Sequence, residues 1–324
     1  MLKDARHWAK LGEHTFVVGI RLLFWTYRRL GRLPFKFCLY PVVTYYWLTR
    51  TAARRASLAY LRRLQDACGA VGHAPTWRDT WAHCLSFADA ILDKMLAVSG
   101  AFPLHTVRCD EEAQLLALLH QGRGAVIAVG HVGCMELCRV GAQRHAGLRL
   151  NVLVHTAHAQ RFNRILKQLD PRGGVTLIQV TAVNPATAML LADKLAQGEF
   201  VVIAADRVPV VSDATVRADF LGRAAPWPVG PYVLAAILKC PLYAMACVRQ
   251  PGGDRRGNYV LRVRCLAEQV VLPRASRQQA LRGYAGEFAR WLEEVLADAP
   301  FAWFNFYTFW DEDRPSVAAD ETGS

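Results

Sequence analysis

Short apolar runs alternate with segments of helical pattern from about residue 110 onward, and this alternation is the strongest constraint on the fold. The apolar runs that read as strands are 125–129, 150–154, 175–178, 200–204, 242–248 and 259–265. Helical spacing is found at 51–100, 160–169, 185–196 and 278–296. Strands alternating with helices of this length are typical of a sheet covered by helices. The sequence therefore predicts an α/β fold.

The positive charge of the chain is concentrated in its first segment. Residues 1–63 contain 13 Lys and Arg side chains and only two acidic ones, Asp4 and Glu13, so they carry +11 of the net charge of +12. The same segment is rich in Trp, Tyr, Phe and aliphatic residues. Basic residues beside aromatic ones suit the headgroup region of an anionic membrane. Nucleic acid is not expected as a partner, because its recognition motifs are absent.

The first segment is expected to lie on the membrane surface as helices. Its longest uncharged run, 37–49, is shorter than the roughly 20 residues of a spanning helix. We therefore favour shallow insertion over a full span. The first apolar run is interrupted by Arg21 and lacks a clean small-residue cleavage site, so a signal peptide is not expected. Nine scattered cysteines without a CxxC motif indicate reduced thiols.

The segment most suited to catalysis is 130–136, which reads GHVGCME and follows the first strand. The carboxyl end of a strand in an open α/β sheet is where binding sites form. Residues five apart are about 140° apart on a regular helix, so His131 and Glu136 can meet only if His131 lies in the turn and Glu136 in the first helical turn. Glu136 would then orient the imidazole, leaving its other nitrogen as a base.

Three other interpretations of this segment stay open. A surface histidine followed by a glutamate at a helix start is the simplest. His131, Cys134 and Cys138 have a spacing similar to that of zinc ligands, but no fourth ligand stands at a convincing distance, and we expect no metal. Cys134 could be a covalent nucleophile, although a His-Glu pair can activate an acceptor alcohol directly.

Further charged residues follow the later strands. Asp206 and Arg207 come after the strand at 200–204 and form either a structural ion pair or part of a substrate pocket. Arg223 lies before a loop that Pro226 and Pro228 restrain, where it binds phosphate or is simply exposed. Less specific substrate-binding candidates after the second strand are Arg161 and Asn163.

With these blocks in order, the chain resembles the lipid A late acyltransferases, the lauroyl and myristoyl transferases of Gram-negative bacteria. The motifs that carry the resemblance are GHVGCME at 130–136, ADR at 205–207, FLGR at 220–223 and PVGP at 228–231. The ending WFNFYTFW at 303–310 resembles a branch of the family found in aryl-polyene biosynthetic clusters. Cys134 and Met135 depart from the pair common in the family, which puts the usual lipid A acceptor in doubt.

The resemblance implies a glycerolipid-acyltransferase-like mixed sheet, covered by helices and joined to a membrane-associated helical N-terminus. It implies an acyl carrier protein thioester as donor, a lipid or glycolipid hydroxyl as acceptor, and no cofactor. It implies a location on the cytoplasmic face of the inner membrane. The family's HxxxxD/E pair corresponds to His131 and Glu136, and its later charged motif to Asp206 and Arg207.

The chain is accordingly expected to divide into a membrane-associated segment at 1–62, an acyltransferase domain at 63–315 and a disordered tail at 316–324. Two rival functions remain. A non-catalytic lipid-binding protein on the membrane surface would keep the fold, and a thioesterase would replace the acceptor by water.

Overall fold

The computed structural model describes Arg29 and residues 32–98, 101–109, 113–138, 147–154, 174–179, 185–207, 214–250 and 258–310. The predicted helix at 160–169, the tail at 316–324 and the candidates Arg161 and Asn163 lie outside the described residues.

Helices and strands alternate through most of the described chain. The helices are α1 (Arg32–Thr49), α2 (Thr51–Cys68), α3 (Trp77–Val98), α4 (Ala113–His120), α5 (Pro185–Ala196), α6 (Gly230–Leu238) and α7 (Arg277–Asp298). The strands are β1 (Val107–Cys109), β2 (Val126–Gly133), β3 (Leu150–Val154), β4 (Val175–Gln179), β5 (Phe200–Ala204), β6 (Thr215–Phe220), β7 (Arg223–Pro228), β8 (Leu242–Arg249) and β9 (Tyr259–Ala267). Short 3₁₀ turns occupy Leu104–Thr106, Met135–Cys138 and Arg274–Ser276.

Seven strands form one mixed sheet in the order β1-β9-β8-β2-β5-β3-β4. β8 and β9 pair antiparallel, and the other neighbours pair parallel. The α/β prediction is confirmed, with the mixed sheet that the resemblance implies. β2 and β5 lie side by side in the middle of the sheet, so their carboxyl ends reach the same edge.

Two apolar clusters cover the two faces of the sheet. Along β2, Val126 and Ala128 join one cluster, which also contains buried residues of α2, α6 and α7. Ile127 and Val129 join the second cluster with buried residues of α1, α3 and α4. Alternate residues of a strand point to opposite faces, which explains why a run without polar residues is buried on both sides.

β2 is longer than the sequence predicts. The expected strand ends at residue 129 and leads into a helix from about 133, whereas β2 continues to Gly133 and Met135–Cys138 form a 3₁₀ turn. The extension has a partner distant in the sequence: Val132 forms an antiparallel bridge with Trp303. His131 accepts a hydrogen bond from the Phe304 N–H, so it lies in extended backbone and not in a free turn.

Residues 215–228 form a hairpin where a loop was expected. β6 and β7 pair antiparallel through a two-residue turn at Leu221 and Gly222, both with positive φ. Positive φ at both positions is the geometry that matches the twist of paired strands. Pro226 and Pro228 are compatible with β7 because this sheet has only two strands.

The helices α1 to α3 precede the sheet. α2 crosses residue 62, the expected boundary between the membrane-associated segment and the acyltransferase domain, and packs Tyr60, Leu61 and Leu64 into the first cluster. α1 contacts α3 through hydrogen bonds from Trp47 Nε1 to Thr80 Oγ1 at 2.9 Å and from Trp81 Nε1 to Thr44 Oγ1 at 3.0 Å. Within the described residues, no helix combines the length and apolar character needed to cross a membrane.

Candidate active site

The register of β2 and β5 brings His131 and Asp206 together. Val129 of β2 is paired with Ala204 of β5, and the N–H of Ala205 donates to the carbonyl of Val129 at 2.8 Å. His131 and Asp206 each lie two residues beyond that pair. Parallel strands in register therefore deliver both side chains to one point on the carboxyl edge of the sheet.

His131 and Asp206 make two hydrogen bonds. The ring Nδ1 of His131 lies 2.7 Å from Asp206 Oδ1, and the backbone N–H of His131 donates to Asp206 Oδ2 at 2.6 Å. An ionised carboxylate can only accept, so Nδ1 carries the proton and Nε2 of the neutral ring is left without one. The His131 side chain is 36% exposed, whereas that of Asp206 is 1% exposed. This arrangement holds a histidine base in a defined orientation beside solvent.

The buried carboxylate of Asp206 is kept ionised by its partners. Burial raises the pKa of Asp206, but the charge of His131, the two hydrogen bonds from His131 and one from Trp303 together hold that pKa below its usual value. A depressed carboxyl pKa stabilises the fold above the unfolded pKa of about 3.9, and the contribution is lost as the pH falls through the folded value. Asp206 therefore acts as an anion at neutral pH.

Two residues after α7 contact Asp206. Trp303 Nε1 donates to Asp206 Oδ2 at 3.0 Å, and the Tyr307 hydroxyl donates to the backbone carbonyl of Asp206 at 3.3 Å. The backbone of this segment also follows β2, since the Gly133 N–H donates to the carbonyl of Ala302 at 2.8 Å.

Glu136 has other partners than the one predicted. It forms an ion pair with Lys94 of α3 and accepts a long hydrogen bond from Cys134 Sγ at 3.8 Å. Burial lowers the pKa of Lys94, but the charge and hydrogen bond of Glu136 raise it above its usual value overall. Among the described contacts, Asp206 and not Glu136 is the carboxylate at His131. A catalytic role for Glu136 stays a prediction.

The reason for this separation is the local backbone. Cys134, Leu137 and Cys138 are buried in the second cluster, on the α3 face of the sheet. Trp303 and Ala205, which flank the His131–Asp206 pair, are buried in the first cluster. The turn after β2 thus carries Glu136 toward α3, while His131 meets the residue that follows β5.

Two glycines make the end of β2 possible. Gly133 has φ of 61°, and a Cβ there would lie 2.0 Å from the carbonyl oxygen of Cys247 on β8. A Cβ at Gly130 would lie 3.1 Å from Val132 Cγ2 and 3.3 Å from Asp206 Oδ2. Glycine at these positions allows the sharp change of direction and leaves space for the carboxylate.

The cysteines of this segment are packing residues in the structure. Cys134 is 1% exposed and Cys138 is 3% exposed. Burial, followed by the nearby charge of Glu136, raises the pKa of both thiols well above the usual value. A protonated buried thiol is a poor nucleophile. No group of three or more His, Cys, Asp or Glu side chains in the described part of the chain is arranged to hold a metal ion.

The comparison with known families shows to which family the chain belongs. The family model of the bacterial lipid A biosynthesis acyltransferases matches residues 98–311, about two thirds of the chain. The chain belongs to this family. The matched region runs from the end of α3 to the residue after Trp310, so it contains the whole sheet and the His131–Asp206 pair. A search of curated proteins found no match.

The remaining described candidates of this acyltransferase family member are exposed arginines. Arg207 follows Asp206 and is exposed. Arg223 is exposed where β7 begins, and the hairpin turn beside it contacts α7 through a hydrogen bond from the Leu221 N–H to Glu293. His131 and Asp206 are in direct contact. Glu136 pairs with α3 instead.

Trp303 and Tyr307 were not predicted as site residues. Both belong to the 303–310 motif, which indicates the family but no role at the site. Their distance from His131 in the sequence, more than 170 residues, leaves no spacing signal. The cluster of aromatic residues after a long helix was the one available indication that this segment is buried.

Proposed function

We propose that this protein is a membrane-associated O-acyltransferase that moves a fatty acyl group from an acyl carrier protein thioester to a hydroxyl of a lipid or glycolipid. The observation that carries the proposal is the His131–Asp206 pair, found at the carboxyl edge of the sheet in a member of an acyltransferase family. A histidine whose Nδ1–H is held by a buried carboxylate is suited to remove a proton from an alcohol.

His131 acts as the general base in this reaction. Its Nε2 takes the proton of the acceptor hydroxyl while the hydroxyl oxygen attacks the thioester carbonyl. The resulting tetrahedral intermediate expels the thiolate as the C–S bond breaks. The imidazolium then returns its proton to the leaving sulfur, so the products are an ester and the free thiol of the carrier. Asp206 orients the ring and stabilises the imidazolium.

The choice of substrates rests on family and composition. A family defined by lipid A biosynthesis implies a lipid acceptor and an acyl donor. The exposed Arg207 and Arg223, together with the basic N-terminal segment, favour an acidic carrier protein as the donor. Ile203, Val229 and Val233 are half-buried apolar side chains that pack against the first cluster, and side chains of this kind suit contact with an acyl chain.

The function is tested with the purified full-length protein. It is incubated in detergent with a lauroyl or myristoyl thioester of acyl carrier protein and a lipid extract of a Gram-negative inner membrane. We expect free carrier thiol and an acylated lipid to form in equal amounts, as measured by mass spectrometry. Release of free fatty acid with every acceptor would indicate a thioesterase, and donor binding without turnover would indicate a lipid-binding protein.

Membrane association of α1 is part of the proposal and has its own support. Leu39 and Val43 attach α1 to the second cluster. The helix exposes Phe37, Val42, Tyr45, Tyr46 and Leu48, each by more than half of its surface. Arg50 lies over the Tyr46 ring at 5.3 Å, next to this surface. Aromatic and basic groups side by side suit the interface of an anionic membrane. We place this surface at the cytoplasmic face of the inner membrane.

Replacing Phe37 and Tyr45 together by serine is expected to weaken binding to vesicles with anionic lipids at least tenfold. The two rings are 75% and 69% exposed, so the change removes apolar contact with lipid and little contact within the protein. Flotation or sedimentation with vesicles measures the effect. Val271→Ser, at an exposed apolar residue after β9, is the control and should bind like the parent. Equal binding by all three proteins would exclude α1 as the membrane contact.

A further inference from the structure

The segment 302–310 contacts the His131–Asp206 pair from a distant part of the chain. Its backbone exchanges hydrogen bonds with the end of β2, through Gly133 to Ala302 and Phe304 to His131, both at 2.8 Å. Trp303 between them is fully buried and packs edge-on against Tyr60, Phe220 and Phe309 with ring centroids 5.0 to 5.2 Å apart. The segment thus fixes the backbone of His131 and the position of the Trp303 indole ring.

A buried histidine holds the backbone of Trp303 from the other side. His83 Nε2 lies 2.9 Å from the carbonyl oxygen of Trp303, and its Nδ1 lies 2.8 Å from Ser57 Oγ. Burial lowers the pKa of His83 to about 4, the hydrogen bond to Trp303 acting in the opposite direction, so the ring is neutral. A carbonyl can only accept, so Nε2–H donates to Trp303 and the Ser57 hydroxyl donates to Nδ1. α2 and α3 thereby restrain Trp303.

The contacts of the Asp206 carboxylate explain what the indole contributes. Oδ1 accepts from the ring of His131, and Oδ2 accepts from the His131 backbone and from Trp303 Nε1. Within the described residues, Trp303 is the one donor to this carboxylate that does not belong to His131. If Asp206 were bound only to His131, no contact outside His131 would fix the position of the carboxylate. Asp206 could then not hold the ring in one orientation.

We propose that Trp303 is a positioning residue of the active site, whose indole N–H anchors Asp206 so that Asp206 can hold His131 in its catalytic orientation. The expected effect on kcat rests on the proposed function. The anchoring of Asp206 by Trp303 does not. The contacts from α2 and α3 through His83 and Trp303 to Asp206 make the orientation of the base depend on the packing of these two helices.

Trp303→Phe tests the proposal because it removes the N–H and keeps a ring among the same neighbours. Trp310→Phe is the matched control: Trp310 is 2% exposed in the same aromatic cluster, and its Nε1 donates to the carbonyl of Phe220 at 3.3 Å, away from the carboxylate. We expect kcat to fall about tenfold in Trp303→Phe with KM for the donor unchanged. Trp310→Phe should keep the parental kcat, with a loss of thermal stability similar to that of Trp303→Phe.

A spectroscopic measurement makes the test independent of turnover. The proton on His131 Nδ1, identified by its loss in His131→Ala, should give a low-field resonance because it lies between imidazole and carboxylate. Trp303→Phe should shift or broaden this resonance, and Trp310→Phe should not. If the parent protein transfers no acyl group, the proposed function fails while this comparison still decides the role of Trp303.

The outcomes separate anchoring from packing. Equal kcat and an unchanged His131 resonance in the two phenylalanine variants would show that the indole only fills space, and would overturn the proposal. If Trp303→Phe does not fold, Asp206→Asn with Trp303 intact provides the second measurement. It should move the indole N–H resonance of one buried tryptophan, and an unchanged set of indole resonances would also overturn the proposal.

Discussion

Replacing His131 by alanine is expected to lower kcat for acyl transfer by about 10²–10⁴-fold, the usual contribution of a general base. The fold should survive. The His131 ring is partly exposed, and the backbone bonds to Asp206 and Phe304 do not need its side chain. Asp206 loses the hydrogen bond from the His131 ring, so stability should fall by about 1–3 kcal/mol. Turnover of an acyl carrier protein thioester and thermal unfolding measure the two effects.

His105→Ala is the control for this substitution. His105 lies exposed in the 3₁₀ turn at Leu104–Thr106, remote in sequence from β2 and β5, and its loss should change neither turnover nor stability. Turnover by His131→Ala at the rate of His105→Ala would mean that the proton of the acceptor is removed by another group, and the proposed mechanism would be wrong.

Replacing Asp206 by asparagine is expected to lower kcat by about 10²–10⁴-fold, although the two side chains have almost the same shape. The carboxylate accepts three hydrogen bonds, one at Oδ1 and two at Oδ2. An amide group must turn its NH₂ toward one of these sets of donors. If it faces His131, Nδ1 becomes an acceptor and Nε2 takes the proton, so the ring cannot act as a base. If the NH₂ takes the position of Oδ2, two buried N–H groups, the His131 backbone N–H and Trp303 Nε1–H, lose their acceptor.

Glu136→Gln is the matched comparison, since it also changes one carboxylate near the end of β2 to an amide. Glu136 pairs with Lys94 and Cys134, so we expect this variant to retain most of the activity and to lose an ion pair at the α3 face. Kinetics of the two variants under the same conditions decide between the carboxylates. A large loss in Glu136→Gln with a small loss in Asp206→Asn would support the HxxxxE pairing that the sequence suggested.

The fold and half of the candidate site could be predicted because their signals are local. Buried strands such as 125–129 and 200–204 are visible as apolar runs between turns and helices, since both faces of a parallel strand need apolar side chains. Residues that follow such strands meet at one edge, so His131 and Asp206 could be expected in the same region before their distance was known. The family resemblance was also carried by these local motifs and is confirmed over residues 98–311.

The pairing of His131 with a carboxylate could not be decided in the same way. The sequence favoured Glu136 because it lies only five residues after His131. Separation along the chain can be read directly from a sequence, whereas distance in space cannot. The structure pairs His131 with Asp206 through strand register, and register depends on the whole sheet. The backbone around Glu136 follows the burial of Leu137 and Cys138, which directs this turn toward α3.

The amino-acid sequence by itself determined the α/β fold and the family, and it proposed the candidate histidine at the carboxyl edge of the sheet. The tertiary structure decided which carboxylate holds the histidine and which residues hold the carboxylate. Trp303 reaches Asp206 because the segment after α7 pairs with the end of β2, bringing together residues 97 positions apart in the chain. The spacing of apolar residues shows which side of each helix or strand is buried. Contacts between elements that are distant in the sequence form only when all of the elements pack against one core.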